Sequence, residues 1–281
     1  MNQNNPQINL FQKRIRGRAP TQAFSEFLTN REQGDWAEDL MLKILNSKLD
    51  SFYSTSYGRN DNLIAGDEGF REFYESYQDE LDEIGKCPDI LIFAEKNSKN
   101  KLEEEMNRQK SRKHLIELVK KAVAGLEVRS SAFLVNRYIE FMKAKGEDYK
   151  GRNFLSFTPK VEDLAVIIKW IETHGIPHFY VQVLFDRIYV ISFEKILEIL
   201  SEKGNLKTKY FIEKNAKNQF KNTIHISLEE GNCIAKDLSL PQHKSHMKEL
   251  QRGRILSYVN FLTPEVPDIK NEDLIKAFKL N

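Results

Sequence analysis

Between residues 161 and 204 the chain reads as four consecutive elements with almost no connecting residues: "VEDLAVIIKWIETHG", "HFYVQVLF", "RIYVISF" and "FEKILEILSEKG". The first has the 3.6-residue apolar period of an amphipathic helix, predicted over 161–173, with Gly175 at its end. The second and third are rich in β-branched and aromatic residues, joined only at Asp186-Arg187, and read as paired strands. Ser192 is placed to cap the fourth, a helix. An unbroken helix–strand–strand–helix run must layer helices on a sheet, so the chain is expected to fold as α/β or α+β.

The rest of the sequence extends this order. A helix is predicted over 34–49, with Ala37, Leu40, Met41, Ile44, Leu45 and Leu49 on one stripe. Residues 50–68 read as loop and 68–83 as a polar, acidic helix. "CPDILIFAE" is a short strand entered at Asp89. Residues 99–124 have a helical pattern ended by Gly125, after which "LEVRSS" begins a second strand. "NTIHISLEEG" reads as a further strand, and "KELQRGRILSYVNF" is a basic stretch. There is no internal repeat and no Pro-, Gly- or Ser-rich linker. We therefore expect a basic arm over 1–20, ordered poorly, and one domain over 21–281. Trp36 and Trp170 are assigned to the core.

Charge is informative by its placement. Forty-three basic and 41 acidic side chains leave a net of only +2. Arg14, Arg16 and Arg18 nevertheless crowd the arm, and Arg108, Lys110, Arg112, Lys113, Lys120 and Lys121 crowd a second stretch, a footprint suited to a polyanion. The two cysteines, Cys87 and Cys233, have neither metal-ligand spacing nor a disulfide framework. The polar N-terminus is no signal peptide, and no apolar run is long enough to span a bilayer. A reducing cytoplasm is the expected setting. His243 and His246 lack a second ligand pair for zinc, and no glycine-rich phosphate loop occurs.

Three acids stand where acids are costly. Asp89 opens an apolar strand after Pro88, Glu127 lies inside the next strand, and Glu38 falls within the apolar arc of the 34–49 helix. A divalent cation such as Mg²⁺, which prefers oxygen ligands, could hold all three. Glu127 and Arg129, two apart on a strand, share a face. A carboxylate that binds a metal beside a cation that stabilises developing charge is the arrangement phosphodiester hydrolysis requires.

Pro88-Asp89 followed by Glu127-Val128-Arg129 resembles the PD-(D/E)XK nuclease signature, and "GDWAED" is similar to the upstream helical glutamate of many members of that superfamily. The wider pattern resembles type II restriction endonucleases of the AccI-like group. The resemblance implies a restriction-endonuclease-like core with a mixed sheet flanked by helices. It implies catalytic Asp89, Glu127, Arg129 and Glu38, with Mg²⁺ on Asp89, Glu127 and Glu38. Arg129 stands where lysine is usual; it stays charged and can stabilise charge but cannot act as a base. Ser130, Ser131, Asn136, Arg137, Lys160, Arg112 and Lys113 are the candidates for contact with DNA. A homodimer acting on double-stranded DNA is expected, and a cognate methyltransferase is implied by the resemblance alone. Two other readings keep the same residues: a repair or recombination nuclease, and a nucleic-acid-binding protein whose nuclease site has decayed.

Overall fold

The computed structural model describes residues 16–58, 63–108, 112–145, 154–214, 221–250, 253–263 and 265–280. Eight helices are described: α1 (Ser25–Lys48), α2 (Phe70–Glu83), α3 (Lys96–Arg108), the one-turn α4 (Ile116–Val119), α5 (Val135–Lys145), α6 (Val161–His174), α7 (Phe193–Ser201) and α8 (Asn271–Ala277). The strands are β1 (Tyr53–Ser56), β2 (Ile90–Phe93), β3 (Ala122–Ser131), β4 (Ser156–Phe157), β5 (His178–Leu184), β6 (Arg187–Ser192), β7 (Tyr210–Lys214), β8 (Asn222–Ser227), β9 (Asn232–Lys236), β10 (Gln242–Glu249) and β11 (Ile255–Leu262). The fold is α+β, as the alternation of patterns requires.

The central sheet has six strands in the order β1-β2-β3-β5-β6-β9. All neighbours are antiparallel except β3 and β5, which run parallel with Glu127 opposite Tyr180 and Arg129 opposite Gln182. The parallel pair is joined by a crossover through α5, β4 and α6, as parallel strands require. Alternation along β3 divides its side chains between two layers. Ala124, Leu126 and Val128 join α1 residues Ala37, Leu40, Met41 and Ile44 and α8 residues in one core cluster. Gly125, Glu127 and Arg129 therefore face the layer of α6.

The sequence expectations hold at the level of elements and fail at some boundaries. α1 begins at Ser25, a longer helix than the stripe from 34 implied. β1 lies within the stretch read as loop. The helical pattern of 99–124 breaks into α3, a 3₁₀ turn (Arg112–Leu115) and α4, and β3 starts at Ala122. Gly125 therefore does not stop a helix. It lies inside β3, where an added Cβ would sit 3.0 Å from the Pro88 ring and 3.1 Å from the Trp170 ring. Ser192 does cap α7, its hydroxyl accepting from the Lys195 amide at 3.2 Å. The basic stretch after residue 240 belongs to a two-stranded ribbon, β10–β11. Its inner strand lies along α1, where Thr29 Oγ1 accepts from the Val259 amide at 3.3 Å. Of the arm, residues 1–15 lie outside the described residues; Arg16 pairs with Asp79 and Asp82 on α2.

Candidate active site

The site forms where β2 begins beside the middle of β3. The Asp89 amide donates to the Leu126 carbonyl at 2.8 Å, and Asp89 Oδ2 accepts from the Val128 amide at 2.7 Å. The side chain thus replaces a ladder acceptor at the strand end, which fixes its carboxylate against β3. On its other side the Asp89 carbonyl accepts from the amides of both Tyr57 (2.8 Å) and Gly58 (3.1 Å). A Cβ at Gly58 would sit 3.4 Å from Asp89 Oδ1, so the chain passes close to this carboxylate.

Glu127 is 1 % exposed. Its Oε1 accepts from Lys86 Nζ at 2.6 Å and from the Arg129 guanidinium, while its Oε2 is buried with no hydrogen-bond partner. Lys86 Nζ also donates to Asp163 Oδ2 at 2.8 Å, and Arg129 lies 3.8 Å from the same oxygen. Lys86 is delivered by a close-docked turn. Its amide donates to the Val166 carbonyl of α6 at 2.9 Å. Gly85 before it has φ of +85°, and a Cβ there would lie 2.3 Å from that carbonyl oxygen. Asp163 comes from the first turn of α6, where a carboxylate is favoured by the helix dipole.

The electrostatics divide the carboxylates into two sets. Burial alone would raise Glu127, but Arg129 and Lys86 outweigh it and hold Glu127 below the usual carboxylate range. Asp163 is lowered against its burial by Lys86 in the same way. Burial and then the Glu127 charge push Asp89 up to about 7, partly offset by Arg129 and Lys86. Burial and then the Asp89 charge push Glu38 up to about 9. Asp89 and Glu38 are therefore held toward their neutral forms, because burial and carboxylate repulsion are only partly offset by the chain's own cations. Lys86 stays protonated: its burial is overcome by Asp163 and Glu127.

Glu38, Asp89, Glu127 and Arg129 are thus brought into one electrostatic neighbourhood. Ser130 and Ser131, at the exit of β3, line a small pocket with Tyr138, Thr158 and His225. Lys160 precedes α6 and is exposed. Partial desolvation lowers its pKa, and the charges of Arg129 and Lys86 add to this while Asp163 opposes it. Asn136 and Arg137 are exposed in the first turn of α5; Asn136 Oδ1 accepts from Arg187, and Arg137 pairs with Glu140 at 3.2 Å. Arg112 sits behind the site: it donates to the carbonyls of Tyr57 (3.1 Å) and Gly58 (3.4 Å) and lies over the Tyr57 ring. Lys113 pairs with Glu83 at 3.3 Å. Sequence reasoning missed Lys86 and Asp163. The only signal for Lys86 was its position three residues before Asp89, and for Asp163 its place in a helical first turn.

The model of the AccI restriction endonuclease family matches residues 5–151 and 148–280. The chain belongs to the AccI restriction endonuclease family. No curated protein and no solved structure matches it. Membership in this family is consistent with the mixed sheet flanked by helices. Among the described residues no three His, Cys, Asp or Glu side chains sit close enough to enclose a metal ion by themselves. Mg²⁺ does not require that, since it is commonly held by one or two carboxylates, with water and substrate phosphate completing the shell. The unpartnered Glu127 Oε2 and the Asp89 carboxylate, only partly offset by Arg129 and Lys86, suit such a site. No described helix is long and apolar enough to cross a membrane.

Proposed function

We propose that this AccI-family chain is a type II site-specific deoxyribonuclease that hydrolyses phosphodiester bonds of double-stranded DNA with Mg²⁺. The observation that carries the reading is the placement of Asp89 at the entrance of β2 against Glu127 of the neighbouring β3, with Glu127 Oε2 buried and unpartnered beside the Arg129 guanidinium. Asp89 and Glu127 would hold the cation directly and Glu38 through water. The cation, when bound, neutralises the scissile phosphate and lowers the pKa of an attacking water.

The chain's own residues do the rest. Arg129, paired with the buried Glu127 carboxylate and with 37 % of its side chain exposed, would stabilise negative charge developing on the phosphate. It remains charged and takes no proton. Lys160, Ser130 and Ser131 surround the exit of β3 and would bind the DNA backbone, with Asn136 and Arg137 further out on α5. Arg112 is spent on the Tyr57 and Gly58 carbonyls, so it supports the loop against Asp89. A two-fold dimer over residues 21–281 of each copy would set one site on each strand. A methyltransferase of matching specificity would protect the host DNA.

The test is digestion of unmodified plasmid and genomic DNA with Mg²⁺, comparing the parent with Asp89→Ala and Glu127→Ala. We expect discrete fragments with identical ends from the parent. Neither variant should cut, and both should still bind duplex DNA in Ca²⁺. Variants that cut like the parent would refute the site, and a parent that binds without cutting would refute the activity.

A further inference from the structure

We propose that Lys86, clamped by Asp163, is a positioning residue of this site: it fixes the Glu127 carboxylate so that Oε2 alone is presented to a ligand. The inference rests on the nuclease reading of the site but assigns a residue which that reading does not use. Lys86 Nζ lies 2.6 Å from Glu127 Oε1 and 2.8 Å from Asp163 Oδ2, with only 12 % of its side chain exposed. The two oxygens of Glu127 are thereby made unlike: one is saturated by Lys86 and Arg129, the other has no partner.

A purely structural role explains this poorly. The turn that carries Lys86 is already anchored by its backbone: Lys86 N to Val166 O, Asp89 N to Leu126 O, and Gly85 packed against α6. The side chain is not needed to hold the turn. A buried ionic cluster is also a weak source of stability, since apolar replacements of similar volume are commonly neutral or stabilising. What the ammonium supplies is direction. It has three donors, of which two are taken by Glu127 and Asp163. The third can meet a phosphate oxygen or water next to the cation site.

The experiment uses the full chain with Lys86→Met and with the double variant Lys86→Met/Asp163→Asn, which removes the charges as a pair and so avoids stranding a buried Asp163. At saturating DNA with Mg²⁺ we expect kcat to fall at least about a hundredfold in both, the scale of one removed electrostatic partner. KM, and DNA affinity in Ca²⁺, should stay within about twofold of the parent. Titration with Mn²⁺ alone, without DNA, reads the same assignment independently of activity. The double variant, whose net charge is unchanged, should bind Mn²⁺ at least about fivefold more weakly, because Oε2 is no longer held toward the ligand, and Glu127→Gln should bind it more weakly as well. A double variant cutting within about threefold of the parent, a loss of kcat matched by an equal loss of DNA affinity, or unchanged or tighter Mn²⁺ affinity in the folded double variant would each overturn the assignment. A parent that binds Mn²⁺ and never cuts would refute the nuclease reading, while the titration still decides the role of Lys86.

Discussion

Replacing Asp89 by Asn should make the metal-free protein more stable while abolishing cleavage. Asn keeps an oxygen for the Val128 amide, so the 2.7 Å hydrogen bond survives in neutral form. What disappears is a buried charge raised from 3.8 to about 7 by burial and by Glu127. A carboxylate whose folded pKa lies above its unfolded value destabilises the fold once ionised. The penalty is absent below about pH 4, grows as pH rises, and is complete above about pH 7. Three pKa units correspond to about 4 kcal/mol. Coupling to Glu38 and the weaker neutral hydrogen bond reduce the expected gain to about 2–4 kcal/mol at pH 8. For a chain of this size that raises Tm by roughly 3–7 °C. The assay is thermal unfolding of parent and Asp89→Asn in EDTA at pH 8 and pH 4.5, where the gain should shrink to about 1 kcal/mol or less. A variant less stable than the parent at pH 8, or a gain equal at both pH values, would refute the claim that burial and Glu127 make ionised Asp89 costly to the fold.

Arg112→Ala should lower stability by about 1–3 kcal/mol through its lost bonds to the Tyr57 and Gly58 carbonyls, with no change in the salt dependence of DNA binding; a salt slope reduced by about one would make it a phosphate contact instead. Gly85→Ala should destabilise by more than about 3 kcal/mol, since strain at positive φ adds to a collision with the Val166 carbonyl; near-parental Tm would show that the turn can move off α6. Lys244→Ala, at an exposed position of β10, should weaken binding to all duplexes alike and reduce the salt slope by about one; binding measured from low to high salt decides this.

How far the sequence revealed the site follows from how local each signal was. Glu127 and Arg129 advertised a shared face because strand periodicity is a two-residue rule, and the hydrogen-bonded pairing of β3 preserves it. Glu38 was visible as an acid inside an apolar helical arc. Asp89 was visible because a carboxylate after proline at a strand entrance has few cheap explanations. Lys86 and Asp163 were not legible. Their meaning depends on α6 docking against the turn before β2, a contact between segments far apart in the chain. Gly125 was misread for the same reason: its lack of a side chain answers Pro88 and Trp170, not the local helix. The β10–β11 ribbon was hidden because "QHKSHMKE" is almost wholly exposed and has no apolar alternation to announce a strand. Arg112 looked like part of a basic surface because composition counts charges without knowing that two backbone carbonyls already occupy this one.

The four carboxylates of the candidate site come from α1, the entrance of β2, β3 and α6, so no short piece of the chain contains it. Contacts this distant in sequence form slowly and late, after loop-closure entropy has been overcome. A chain in which α6 is not yet docked lacks Asp163 beside Lys86 and Glu127. The candidate site is therefore a property of the closed fold and of no segment of it.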